Sequence, residues 1–113
     1  MSEKQVLLND LAGVVQTLDK LVNYTKGSIV SKILIDKAIG SITLFAFDKD
    51  QRLTEHTSPY DAFVQIVDGT AVITIGGKEQ ELSAGQAVIM PANIPHAVYG
   101  KTAFKMLLVM IKQ

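Results

Sequence analysis

From Ser28 to the C-terminus, apolar residues alternate with polar ones along short segments, and this period of two governs what the chain can become. The segments read SIVSKILID, GSITLFAFD, AFVQIVDG, TAVITIGG, QAVIM and FKMLLVMIK, all rich in Val, Ile, Thr and Phe. They are separated by turn signals at Lys37 to Gly40, Asp48 to Arg52, Asp68-Gly69, Gly76-Gly77 and Ala84-Gly85. Asp68-Gly69 and Gly76-Gly77 supply residues that tolerate the positive φ of tight turns. A period of two sends alternate side chains to opposite faces of a sheet. Short strands at such regular spacing predict an all-β sandwich or barrel.

Upstream, Leu7, Leu8, Leu11, Val14, Val15, Leu18, Leu21 and Val22 recur at three- and four-residue steps. That stripe predicts an amphipathic helix, capped by Asn9 or Asp10 and ended near Gly27, with the first turn extended if Asn9 interrupts it. The expected organisation is therefore residues 1–27 as a helical or extended segment packing on the barrel or a dimer mate, and 28–113 as the barrel. The polar face of the stripe mixes Gln16, Asp19 and Lys20, unlike the basic face of a membrane-surface helix.

A chain of 113 residues is expected to form one domain and to bury about two-thirds of its unfolded surface. Lys plus Arg and Asp plus Glu both number 11, so the net charge is zero. No basic block interleaved with aromatics suits nucleic acid, and the low charge is compatible with self-association. Cysteine is absent, which excludes disulfides, thiolate catalysis and cysteine-held zinc. The opening MSEKQVLLND lacks the basic-then-apolar pattern of a secretory signal, and no apolar run reaches membrane-spanning length. These features predict a cytoplasmic protein, and the exposed edges of a short barrel predict a homodimer.

The two histidines, His56 and His96, carry the chemical signal. Along the strand leading into Asp68-Gly69, the residues sharing the parity of His56 are Ser58, Tyr60, Ala62, Val64 and Ile66, with Pro59 able to introduce a bulge. Further on, Pro91-Ala92-Asn93-Ile94-Pro95 makes a stiff turn, and His96 opens the next strand. His56-Thr-Ser58-Pro-Tyr-Asp61-Ala62, six residues and Gly69 form one motif. Gly85, Pro91, Asn93 and His96 form a second. In this spacing the chain resembles a small single-domain cupin over roughly Thr43 to Ile111. Asn93 stands where the family's second motif has glycine, and asparagine accepts the left-handed conformation needed there.

The resemblance implies a jelly-roll, double-stranded β-helix barrel with a short N-terminal helix. It also implies a metal site, held in cupins by two histidines and a glutamate of the first motif and one histidine of the second. His56 and His96 match two of those positions, while Ser58 replaces the other histidine and Ala62 the glutamate. Two imidazoles are short of an ordinary site for Zn, Fe, Ni or Mn. Asp61 could supply a third ligand, a carboxylate oxygen, only if the backbone bulges after Pro59. The expected function is therefore a small cupin whose pocket, marked by His56, Ser58, Tyr60, Ala62 and His96, binds a small organic ligand with the metal site depleted. The alternative is an oxygenase- or isomerase-type enzyme holding one divalent transition ion through His56, His96 and Asp61. A metal-free enzyme resembling sugar epimerases, with a histidine as base and Tyr60 as acid, is a variant of it.

Overall fold

The computed structural model describes residues 6–112. Its strands are β1 (Ile29–Lys37), β2 (Gly40–Phe47), β3 (Arg52–His56), β4 (Asp61–Asp68), β5 (Thr70–Ile75), β6 (Lys78–Ser83), β7 (Ala87–Met90), β8 (His96–Gly100) and β9 (Phe104–Ile111). They form two antiparallel sheets, ordered β1-β2-β9-β4-β7 and β3-β8-β5-β6. This is the expected all-β jelly roll, and the chain passes from one sheet to the other between β4 and β5. Among the described residues, no helix is long and apolar enough to cross a membrane.

The alternation seen in the sequence is the alternation of burial. Ala62, Val64 and Ile66 of β4 and Ala71 and Ile73 of β5 are buried between the sheets, while the residues that alternate with them face outward. Phe47 and Phe104 stack there at 4.5 Å between ring centroids, with Leu82, Val98 and Met106 packed around them. The depth of the barrel is thus filled by side chains, as small barrels generally are.

The N-terminal stripe is not one helix. A single turn, α1 (Leu8–Leu11), is followed by Gly13 at φ 76°, then by extended chain and a 3₁₀ turn at Leu18–Lys20. Glycine and the β-branched pair Val14-Val15 weaken helix propensity at the middle of the stripe, and a short helix gains little stability without a packing face. The packing the segment finds is local instead. Val22 is fully buried against Leu44 and Ala46, with Leu18 and Leu21 beside it. The Leu7 N–H donates to the Ile33 carbonyl at 2.9 Å, so the segment also covers the edge of β1. Lys105 is buried where this strap crosses the sheet. Its ammonium donates to the Asp19 carbonyl and lies 4.8 Å from the centre of the Tyr24 ring, while the Tyr24 hydroxyl donates to Asp68. Burial, reinforced by the Asp68 contact, pushes the Tyr24 hydroxyl well above its ordinary range.

Candidate functional site

His56 and His96 come together through a defect in strand pairing. On β8, Val98 and His96 share the inner face, two residues apart. Their partners on β3 are Leu53 and His56, which are three residues apart. In a regular strand Leu53 and His56 would point to opposite faces. One extra residue in β3 is a β-bulge, and it re-aims His56 to the same side as Leu53. The two imidazoles then lie directly opposite each other, their centroids 4.3 Å apart and their planes at 68°. His96 is flanked on its other side by Ile75 of β5. His96 is 7% exposed, whereas His56 is open to solvent, so the pair sits at the barrel mouth.

The loops around the pair are tied to each other. Asn93 has φ 65°, the left-handed conformation expected of it, and its N–H donates to the Ser58 carbonyl at 2.7 Å. The Ser58 hydroxyl accepts the Tyr60 N–H at 3.2 Å. The Gly76 N–H donates to the Pro95 carbonyl at 2.8 Å. Asp61 is exposed and its carboxylate accepts the Ala92 N–H at 2.8 Å, so it clamps the β7–β8 loop to the start of β4. Ala62 lies inside the apolar core, in register with Met90. The structure therefore brings His56 and His96 together, puts Ser58 and Tyr60 half-buried in the adjoining loop, and turns Asp61 away. Replacing Asp61 by alanine is expected to cost about 1 kcal/mol in a urea titration, by leaving the Ala92 N–H without its charged partner. Metal content should not change.

The family model described as a cupin domain matches residues 43–111. The chain is a cupin. Among solved structures it is similar to a conserved protein of unknown function from Streptococcus pyogenes, at 40% identity over 89% of each chain, with TM-score 0.86. It is also similar to a cupin 2 conserved barrel domain protein from Leptotrichia buccalis, at 40% identity and TM-score 0.81. That match covers 84% of this chain and 46% of the other. A cupin superfamily protein from Desulfitobacterium hafniense matches at 28% identity and TM-score 0.82, over 85% and 88% of the two chains. A comparison with curated proteins finds no match.

The side chains of this cupin do not complete the metal site that the family resemblance implies. Among the described residues, no group of three or more His, Asp or Glu side chains is placed to hold an ion. Two ligand positions are filled by a loop-holding serine and a core alanine, and the Asp61 carboxylate is engaged elsewhere. A separate groove of about 760 Å³ runs over the outer face of the β3-β8-β5-β6 sheet. Its floor includes Val72, Thr74 and Ala97, and Arg52 packs over the Tyr99 ring along one wall. Neither histidine lines it.

Burial lowers the pKa of His96 below its ordinary value. Its contact with the Ile94 carbonyl opposes that shift, and His56 beside it adds to it. The folded state thus resists protonating His96 more than the unfolded chain does. The unfolded chain binds the extra proton as pH falls, so stability from this residue is full above about pH 6.5 and declines on acidification. The His96→Gln variant should lose that part of the decline. The difference between the two urea midpoints should narrow as pH falls from 7.5 to 5.

Proposed function

We propose that this cupin binds a small organic molecule at the barrel mouth, with His56 and His96 as polar anchors and Ser58, Tyr60 and Ala62 around them. The observation that carries this reading is the bulge that puts both histidines on one face, side by side, with His56 open to solvent at the end of a packed barrel. A bulge that re-aims one side chain beside another is a common device next to binding sites. An apolar interior ending in two polar groups has the character of a small-molecule site. The test is a ligand screen followed by imidazole resonances in NMR. A binder should perturb both histidines saturably and be lost in His56→Ala and His96→Ala. Binders that leave both resonances unmoved would refute the reading.

The enzyme reading, with an ion on His56, His96 and Asp61, has one feature in its favour: the two imidazoles lie side by side, 4.3 Å between centroids. It lacks a third protein ligand, since Asp61 holds the β7–β8 loop.

The cupin is further proposed to form a homodimer through the outer face of the β1-β2-β9-β4-β7 sheet. Register aligns Ile35, Ile42, Val109, Phe63 and Ile89 in one row across all five strands. Phe63 is 41% and Ile89 64% exposed. Such an exposed apolar row suits a two-fold interface, in which each copy presents the same patch to the other. Analytical ultracentrifugation at micromolar concentration should give a dimer mass, and Phe63→Lys with Ile89→Lys should give a monomer. A monomer for the natural chain would end this proposal.

A further inference from the structure

Each histidine of the mouth is held by the same local contact. Nδ1 of His56 lies 2.8 Å from the Thr54 carbonyl oxygen, and Nδ1 of His96 lies 3.2 Å from that of Ile94. In both cases the carbonyl belongs to the residue two positions earlier. A carbonyl oxygen has no proton to give, so Nδ1 carries the hydrogen in both rings. The neutral ring then has its lone pair on Nε2, the nitrogen further from the backbone. With the rings 4.3 Å apart, the mouth offers two neighbouring acceptors and no imidazole donor.

We infer, resting on the binding reading above, that the ligand is a neutral molecule carrying two adjacent hydroxyl groups on a compact carbon skeleton. Each hydroxyl donates to one Nε2, and the skeleton lies against the apolar inner wall. Other ligand classes fit the same two atoms poorly. A carboxylate or a phosphomonoester dianion brings only acceptors, which would face lone pairs with lone pairs. Protonating both rings would cure that, but it would set two positive rings 4.3 Å apart, one of them only 7% exposed. An ammonium ion brings donors, yet its charge would need a compensating carboxylate. Ile75, Ala62 and Met90 face the interior, and the carboxylate of Asp61 is turned to the Ala92 N–H. A vicinal diol satisfies both acceptors and adds no charge.

The experiment uses the full chain with uniform ¹⁵N labelling at pH 7.5, in the presence of EDTA so that no ion bridges protein and probe. Three probes share one ring: cis-1,2-cyclohexanediol, cyclohexanecarboxylate and cyclohexylammonium. The imidazole ¹⁵N shifts should report Nδ1 protonated and Nε2 unprotonated in both rings. The diol should move both Nε2 resonances saturably and bind at least about tenfold more tightly than either charged probe. His56→Phe and His96→Phe keep the ring shape without the lone pair, and each should abolish the response. Tighter binding of the carboxylate or the ammonium, or protonated Nε2 in either ring, would overturn the inference while leaving the binding reading intact. No response to any of the three would overturn both.

Discussion

Replacing Gly69 by alanine is expected to destabilise the fold by more than about 3 kcal/mol, a large part of what a domain of this size possesses. Gly69 is the single residue between β4 and β5, where the chain leaves one sheet for the other. Its φ is 73°, which an L side chain adopts only at a cost. A Cβ there would also stand 2.0 Å from the Ala103 carbonyl oxygen and 2.9 Å from the Phe104 Cα. Both obstacles are backbone atoms at the entry to β9, so neither can move without dragging the central strand of its sheet. Gly77 is the control, because its φ is 81° and nothing lies within 4 Å of the added carbon. Gly77→Ala should cost about 1–2 kcal/mol, from backbone strain alone. Urea unfolding of the two variants separates the effects. Equal losses would mean that the approach of Ala103 to Gly69 is not the constraint described here.

The second large effect is a gain. Restoring the family's ligand types with Ser58→His and Ala62→Glu should let the barrel take up about one equivalent of a transition ion, four protein ligands being the usual complement of such a site. Ala62 is buried among apolar side chains. Without metal, the new carboxylate should therefore cost about 3–5 kcal/mol. Adding nickel or manganese should recover much of that loss and raise the unfolding midpoint with metal concentration. A folded double variant that takes up no ion would show that the mouth around His56 and His96 is not laid out as in metal-binding cupins.

Much of this architecture was legible because burial follows a period of two. Six alternating segments became β1, β2, β4, β5, β7 and β9 within a residue or two of their apolar runs, and His96 begins β8 as expected. The polar strand β6 has no such signal, since only Leu82 among its six residues is buried. The sequence reading runs from His56 to Asp68 as one strand, with Pro59 able to bulge it. In fact the chain breaks around Pro59 and the two strands lie in different sheets. The inward parity of His56 is real, but it arises from the bulge between Leu53 and His56, which period-two reasoning cannot see. The N-terminal stripe misled for the opposite reason. Its apolar residues are indeed placed to bury a face, but Leu18, Leu21 and Val22 do so by tertiary contact with β2 rather than as one helix, and Val15 is left 97% exposed. Spacing singles out both histidines, and the fold sets their rings 4.3 Å apart. The clamp made by Asp61 is not legible there, because a hydrogen bond across 31 residues leaves no local pattern.

The central claim is that His56 and His96 mark a binding mouth whose metal site is depleted. Elemental mass spectrometry of the untagged protein tests it most directly, beside the His56→Ala and His96→Ala variants and after incubation with zinc, iron, nickel and manganese salts. The account predicts no stoichiometric transition metal in any of the three proteins. About one equivalent of a single ion in the natural chain, lost in both variants, would contradict it.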